Sequence, residues 1–337
     1  MPFGGDPTIM IGEPEQASDC RPRLFKKRVP DEEPVTFESA VLFRFGEQCN
    51  YRCPMCSNTG RSELFFHKTE ELLRRAAFLH STGFRRVVVT GGEATIHPGF
   101  WTVVEQLRAY GMTWDANTHG GSFAEPGFAK RAVGTGLKRA IVSLHSLEAS
   151  ISSAIFGTRE DAHHASVAGI ERLVEVGVEV MLNFVFNRLN LTQAEDYLRA
   201  AHQRFGATIS FKFVFPTTIG KGGQWSEIST LRYEEVREIV RKLRDIAMRE
   251  QLRIAFESFP NCTLGDAGNK NYGRSTFGES HYLDDASGAR VYSMRHIEAE
   301  LAAFGEQCRQ CVAVRCCPGV SRLYIKRHGL AEFVPLT

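Results

Sequence analysis

The chain has 337 residues, of which 41 are Lys or Arg and 39 are Asp or Glu, so its formal net charge is +2 at pH 7. This near balance gives no strongly basic field that would attract nucleic acid. No apolar run approaches the roughly 18 residues of a membrane span, and the N-terminus lacks a basic-then-apolar signal pattern. The nine cysteines therefore indicate metal or redox chemistry in a reducing cytoplasm, not a disulfide framework.

Three regions follow one another along the chain. Residues 1–36 contain several prolines and little periodicity, which predicts an irregular N-terminal arm. Residues 37–222 alternate apolar strand-like runs with amphipathic helices, a pattern typical of an α/β fold with a parallel sheet and outer helices. Strands are predicted at 39–45, 86–90, 113–118, 138–143, 178–186 and 208–215, and helices at 69–81, 98–110, 124–133, 161–176 and 192–205. Residues 223–337 add one helix (231–249), a short strand (253–256) and a loop-rich tail.

Three cysteines, Cys49, Cys53 and Cys56, follow the first predicted strand directly. Thiolates are the usual ligands of iron–sulfur clusters, and three ligands would leave one iron of a [4Fe–4S] cube open. The same spacing fits a buried stripe on one helical face, but Pro54 would break such a helix. The segment is therefore predicted to be a metal-binding loop, with a structural zinc site as the alternative to a cluster.

These cysteines and the motifs after them resemble the radical S-adenosylmethionine (radical SAM) superfamily. Gly91, Gly92 and Glu93 end the second strand and resemble the Gly-Gly-Glu motif of that family. The turn at 117–120 resembles its Thr-Asn-Gly turn, with His119 in place of the asparagine. The segments 141–145 and 180–187 resemble its fourth and fifth strands, while Met55 departs from the usual aromatic residue. The resemblance covers about residues 37–222 and implies a partial (β/α)6 TIM-like barrel, whose functional groups gather at the carboxyl ends of the strands.

The resemblance also implies roles for residues at these strand ends. The open iron would bind S-adenosylmethionine, and one electron from a flavodoxin- or ferredoxin-type donor would cleave it to a 5′-deoxyadenosyl radical. Gly91 and Gly92 would let the backbone approach the methionine end, and Glu93 would accept hydrogen bonds from its amino group. Ser143 and His145 would reach the ribose hydroxyls or the carboxylate, although His145 also fits a core histidine. Asn183 would face either the ligand or the sheet interior.

Four cysteines of the tail resemble the twitch or SPASM-like extensions that hold an auxiliary iron–sulfur cluster. The expected metal ligands are Cys262, Cys308, Cys311 and Cys317. Cys316 could replace Cys317, and Cys20 would be spare. We expect one fully cysteine-ligated [4Fe–4S] cluster, which would hold together a region too loop-rich to build a large core. A zinc ribbon with the same ligands is the alternative.

Two classes of function follow. The first is an enzyme that abstracts hydrogen from a small-molecule or peptide substrate in a biosynthetic modification, with ribosomal-peptide or protein side-chain maturation as a variant. The N-terminal arm is too short for a separate peptide-recognition domain, which favours a small or externally delivered substrate. The second class is a non-catalytic iron–sulfur or zinc scaffold. The Gly-Gly-Glu motif favours the enzyme, because a metal scaffold has no use for it.

Overall fold

The computed structural model describes residues 24–25, 40–56, 65–216, 227–265, 280–283, 290–293 and 300–337. Most of the predicted N-terminal arm, the predicted boundary near residue 222 and Cys20 lie outside these residues. Within these ranges, no helix has both the length and the apolar character that crossing a membrane requires.

A nine-stranded sheet organises the described part of the chain. The strands of the structure are β1 (Leu24–Phe25), β2 (Ala40–Arg44), β3 (Arg86–Thr90), β4 (Thr113–Thr118), β5 (Leu137–Ser143), β6 (Glu179–Val185), β7 (Ser210–Val214), β8 (Ile254–Glu257), β9 (Ser280–Leu283), β10 (Val291–Ser293), β11 (Ala302–Gly305) and β12 (Val320–Ser321). The order in the large sheet is β10-β9-β2-β3-β4-β5-β6-β7-β8, and β2 to β8 run parallel to their neighbours. The sheet is open, so the predicted α/β fold with a partial TIM-like barrel is confirmed.

Helices cover the outer face of this sheet. They are α1 (Thr69–Ser81), α2 (Phe100–Ala109), α3 (Phe128–Gly134), α4 (Ala149–Phe156), α5 (Glu160–Glu175), α6 (Ala194–Phe205), α7 (Tyr233–Glu250), α8 (Asn261–Leu264) and α9 (Arg322–His328). The predicted bounds of α1, β3 and β4 are confirmed to the residue. The helix predicted at 124–133 begins only at Phe128, because Gly127 adopts a left-handed conformation with φ +80° just before it. The sequence pattern missed α4, whose serines are weak helix formers.

The sheet takes more strands from the C-terminal part of the chain than the sequence pattern predicts. The short strand predicted at 253–256 is β8, which extends the barrel sheet by pairing parallel with β7. At the other edge β9 pairs parallel with β2. Strands from beyond residue 222 therefore belong to the same sheet as the predicted barrel core.

The tail, which was expected to be too loop-rich for a large core, buries apolar side chains by packing against the barrel. Tyr324, Leu330 and Phe333 are buried and belong to the same apolar cluster as the helix-facing side of the sheet. Tyr233 at the start of α7 joins the two parts, because its ring stacks on Phe215 of the barrel at 3.7 Å and packs edge-on against Tyr324. The backbone N–H of Tyr233 also donates to Tyr324 Oη at 3.1 Å. The tail therefore has packing energy of its own.

Candidate functional site

The loop that carries the first three cysteines, residues 46–56 (the cysteine loop), lies against the turn after β3. The backbone N–H groups of Gly92 and Glu93 donate to the carbonyl oxygens of Gly46 and Gln48 at 2.9 and 2.8 Å. Gly91 has φ +133°, and a Cβ there would lie 2.5 Å from the carbonyl oxygen of Gly46. A Cβ on Gly92 would overlap the carbonyl oxygen of Gln48. The cysteine loop is thus a close neighbour that these glycines accommodate, and their predicted approach to the methionine end of S-adenosylmethionine stays a prediction.

The three cysteines of this loop are half-buried. The backbone N–H of Tyr51 donates to Cys49 Sγ at 3.3 Å, and that of Cys56 donates to the carbonyl of Cys53 at 3.2 Å. Burial raises the pKa of the Cys49 thiol to about 12, and the charges of Glu93 and Cys56 add to the rise. A thiolate here therefore needs a cation beside it, and a coordinating thiol is deprotonated by its metal. Three half-buried thiols on one loop fit a cluster as a donor set.

Two helices hold the other side of the cysteine loop. The hydroxyl of Tyr51 donates to the carbonyl of Ala162 at 3.0 Å and lies 3.1 Å from Ser166 Oγ, both on α5. The backbone N–H of Arg52 donates to the carbonyl of Phe156 at the end of α4, at 3.0 Å. The loop is therefore fixed by the strand ends on one side and by α4 and α5 on the other.

Glu93 is buried, with 1 % of its surface exposed. Its carboxylate accepts hydrogen bonds from the hydroxyl and the backbone N–H of Thr95, from the hydroxyl of Thr118, and from the backbone N–H of His119. A carboxylate offers about four acceptor positions, so these donors fill them. The structure places this carboxylate at the centre of the strand-end network, and its predicted hydrogen bond to a ligand amino group stays a prediction.

His119 is a site residue to which the motifs assigned no role. Its Nε2 lies 2.8 Å from Asn50 Oδ1 in the cysteine loop and 3.4 Å from Glu93 Oε2. Its ring stacks on Tyr51 at 3.7 Å with an interplanar angle of 12°. Burial lowers the pKa of His119, and the charge of Glu93 partly offsets this. Its position in the sequence could have indicated a role, because His119 stands where the Thr-Asn-Gly turn of the radical SAM family has an asparagine.

A row of polar side chains crosses the concave face of the sheet on three neighbouring strands. Ser143 pairs in register with Asn183, and Asn183 pairs with Lys212. Asn183 Oδ1 is buried and accepts no hydrogen bond from the described residues. Lys212 is 9 % exposed, and its Nζ lies 3.0 Å from Glu257 Oε2 on β8. The row ends towards β8 in an ion pair and includes one open acceptor at Asn183.

His145 belongs to the core. It is 3 % exposed, and its Nδ1 accepts a hydrogen bond from the backbone N–H of Val185 at 3.2 Å. Its ring packs against Phe156, and burial lowers its pKa to about 4. These contacts match the alternative of a neutral core histidine.

The tail brings its predicted cysteines together. Cys262, Cys308, Cys311 and Cys317 line one cleft, together with apolar residues such as Phe304 and Val320. Burial raises the pKa of the Cys262 thiol to about 12, and the charges of the other three cysteines of the cleft add to the rise. Cys317 Sγ accepts a hydrogen bond from the backbone N–H of Gly319 at 3.4 Å.

Cys316 does not line this cleft itself, although its Sγ accepts a hydrogen bond from Nδ2 of the lining residue Asn261 at 3.4 Å. Cys316 is exposed, and its thiol donates to the carbonyl of Ala313 at 3.3 Å. Of the two adjacent cysteines, the structure thus directs Cys317 into the cleft. Across the described ranges, no three His, Cys, Asp or Glu side chains already have the arrangement of ligands to a metal ion.

Comparison with known proteins agrees with this geometry. The model of the Radical SAM superfamily matches residues 43–201, the region from β2 to α6 that carries the cysteine loop and the Gly-Gly-Glu turn. This region is a radical SAM domain. Among curated proteins, the probable GTP 3′,8-cyclase of Thermococcus kodakarensis is 34% identical over 161 residues, which are 46% of this chain and 50% of that protein. That of Saccharolobus islandicus is 27% identical over 207 residues, covering 61% and 64% of the two chains. The chain thus spans between half and two thirds of the length of these relatives.

Solved structures share the fold of this chain. Streptococcus suis SuiB bound to S-adenosylmethionine has a TM-score of 0.58 at 14% identity, over 88% of this chain and 76% of SuiB. Native anSMEcpe with bound AdoMet has a TM-score of 0.52 at 13% identity, over 64% of each chain. At these identities the similarity is one of fold.

Proposed function

We propose that the chain is a radical SAM enzyme that reductively cleaves S-adenosylmethionine and abstracts hydrogen from a small-molecule substrate. The observation that carries the proposal is the cysteine loop, which is held against the Gly91–Gly92 turn within the matched radical SAM domain. Cys49, Cys53 and Cys56 supply three thiolates and leave one iron of a [4Fe–4S] cluster without a protein ligand. When bound, such a cluster supplies the electron for the reductive cleavage of S-adenosylmethionine. A flavodoxin- or ferredoxin-type protein would deliver that electron.

The remaining site residues would shape the binding site for S-adenosylmethionine. Gly91 and Gly92 allow the cysteine loop to approach the end of β3, and Glu93 locks the turn through its hydrogen bonds to β4. Ser143 and Asn183 lie side by side on the concave face. The buried Oδ1 of Asn183 has no donor among the described residues, so it can accept a hydrogen bond from an amino or hydroxyl group of the cofactor. His145 would support Ser143 and Asn183 by packing in the core beside them.

The tail cleft is proposed to hold a second, auxiliary [4Fe–4S] cluster. Four cysteines that line one cleft match the four ligands of a closed cluster. A closed cluster has no iron for substrate, so its role would be electron transfer or structural support. A zinc ion with the same ligands would give a structural site only.

The substrate class is proposed from the relatives and from the concave face. The named sequence relatives are probable GTP 3′,8-cyclases, which act on a small molecule. Lys212 places a cation, paired with Glu257, beside Asn183 on the concave face. We therefore favour a small polar substrate over a peptide, although SuiB has also been solved with its precursor peptide.

An anaerobic assay tests the proposal. Purified protein with reconstituted iron and sulfide is incubated with dithionite and S-adenosylmethionine, and 5′-deoxyadenosine is measured with GTP or with a peptide as candidate substrate. Reductant-dependent formation of 5′-deoxyadenosine supports the enzyme, and its stimulation by GTP alone supports a small substrate. The variant with Cys49, Cys53 and Cys56 replaced by Ala should form none. If the wild-type protein binds iron but forms no 5′-deoxyadenosine, it is the non-catalytic scaffold.

A further inference from the structure

We propose that His119 is a positioning residue of the cysteine loop, fixing the segment between Cys49 and Cys53 in the geometry that holds the cluster. This inference rests on the proposed function, because it concerns the same cysteines. His119 follows β4 and is 7 % exposed, so its contacts are with protein groups on nearly every side. Three features of its ring, and its backbone N–H, each have a separate partner.

The first partner fixes the tautomer of the ring. The backbone N–H of Gly121 donates to His119 Nδ1 at 3.0 Å, so this nitrogen carries no proton in the neutral ring. The proton therefore lies on Nε2, which faces Asn50 Oδ1 at 2.8 Å. The hydrogen bond thus runs from the turn after β4 into the cysteine loop, at the residue directly after Cys49.

Two further partners, Tyr51 and Glu93, complete the contact. The ring of His119 lies parallel to that of Tyr51 at 3.7 Å, and Tyr51 is itself tied to α5 through its hydroxyl. On the other side, Glu93 Oε2 accepts the backbone N–H of His119 at 2.9 Å, which joins the histidine to the Gly-Gly-Glu turn. His119 therefore connects two consecutive residues of the cysteine loop to the turn after β3.

An imidazole meets all of these requirements at once. It provides an acceptor for Gly121, a donor for Asn50 and a flat surface for Tyr51. An asparagine, the residue that the resembling turn carries here, could supply the polar contacts but has no ring to stack on Tyr51. This chain therefore holds its cysteine loop by a stacked histidine.

The test compares iron release in three variants of His119. Each protein is loaded with iron and sulfide, and the rate of iron transfer to the chelator bathophenanthroline is measured without oxygen. His119→Ala should release the loop-bound iron about tenfold faster, the change expected from losing a partly buried hydrogen bond together with a ring contact. His119→Phe keeps the stack, and His119→Gln keeps a donor, so both should give intermediate rates. The electron paramagnetic resonance spectrum of the reduced cluster should change in the same order.

Two controls separate positioning from a general loss of stability. His80→Ala removes another histidine that stacks on a tyrosine, Tyr110, at 4.7 Å and 10°, away from the cysteines. It should leave iron release unchanged, even if metal-free His80→Ala and His119→Ala melt at similarly lowered temperatures. Asn50→Ala should speed iron release by itself, and combining it with His119→Ala should add little, because both remove the same hydrogen bond.

The outcomes are distinct. If wild-type protein binds no iron, the proposed function and this inference both fail. If wild-type protein holds its cluster and His119→Ala releases iron at the wild-type rate, the role of His119 alone is refuted. If the Ala variant does not fold, His119→Phe, which keeps a large ring in the same space, is used instead. Iron release from it at the wild-type rate would refute the role of His119. Strict additivity of the Asn50 and His119 effects would also refute it.

Discussion

Thr118 Oγ1 lies 2.9 Å from each of the two carboxylate oxygens of Glu93, so the end of β4 is tied to the turn after β3 through one buried carboxylate. Thr95 and His119 donate to the same carboxylate. Glu93 thus satisfies the buried donors of Thr118 and His119, together with the partly buried donors of Thr95. The cost of leaving such donors unpaired exceeds the gain from any one of the hydrogen bonds.

We expect Glu93→Ala to lower the free energy of unfolding of the metal-free protein by about 2–4 kcal/mol, because it strands these donors in the interior. Urea denaturation followed by circular dichroism measures this value. Glu105→Ala is the matched control, since Glu105 is 52% exposed and pairs with the exposed Arg131. It should change stability by less than about 0.5 kcal/mol. Equal effects of the two substitutions would mean that Glu93 is not structural.

A second prediction concerns the contact between the glycine turn and the cysteine loop. Gly92→Ala should displace the loop, because the added Cβ would overlap the carbonyl of Gln48. The variant should lose about four irons per chain, the content of the cluster at Cys49, Cys53 and Cys56. Gly134→Ala in α3 is the control, because its Cβ would meet nothing nearer than Arg108 at 4.0 Å. Full iron content in Gly92→Ala would contradict the contact.

The sequence predicts much of this architecture because the pattern of apolar and polar residues in each strand or helix can be read within that segment alone. Strands β3 and β4 and helix α1 lie where their apolar patterns place them, and the three cysteines meet the Gly-Gly-Glu turn because parallel strands end at one edge. The full set of hydrogen bonds to the Glu93 carboxylate could not be predicted, since it depends on the register that brings Thr118 of the next strand beside Glu93. The tail core was missed for a similar reason. Tyr324 and Phe333 follow no period and are buried through contacts with residues far away in the sequence, such as Tyr233 and Phe215.

The open acceptor on the concave face gives a third prediction. Asn183→Ala should raise the dissociation constant of S-adenosylmethionine for the cluster-loaded protein about tenfold, the effect of one lost hydrogen bond. Stability should change by less than about 1 kcal/mol, because Asn183 Oδ1 has no partner to lose in the described structure. Isothermal titration calorimetry and urea denaturation measure the two effects.

Asn187 is the control, because its replacement should lower stability, whereas that of Asn183 should weaken binding. Its side chain donates to the carbonyl of Val185 and accepts from the backbone N–H of Leu189, so it fixes the turn after β6. Asn187→Ala should therefore cost about 1–2 kcal/mol of stability. If Asn183→Ala binds S-adenosylmethionine as tightly as the wild type, the open acceptor faces no cofactor.

The ion pair on the concave face gives a fourth prediction. Glu257→Gln should destabilise the protein by about 1–3 kcal/mol, because it leaves the Lys212 ammonium without its counter-charge in a nearly buried position. Lys212→Met should cost less stability, since it removes the buried charge itself, but it should weaken substrate-dependent 5′-deoxyadenosine formation. Glu195→Gln, which affects an exposed pair with Lys242, is the control and should be nearly neutral. A larger loss of stability in Lys212→Met than in Glu257→Gln would contradict this account.

The last prediction separates the two adjacent cysteines of the tail. Cys317→Ser should lower the iron content from about eight to about four per chain, because Cys317 faces the cleft that Cys262, Cys308 and Cys311 also line. Cys316→Ser should keep the full content, since Cys316 is exposed outside that lining. Both variants should stay folded. Tyr324 and Phe333 belong to the apolar core and hold the tail on the barrel without metal. Iron analysis by mass spectrometry and the circular dichroism spectrum of each variant check these points. Zinc in place of iron in the wild-type tail, or loss of iron from Cys316→Ser, would overturn the assignment of this cleft.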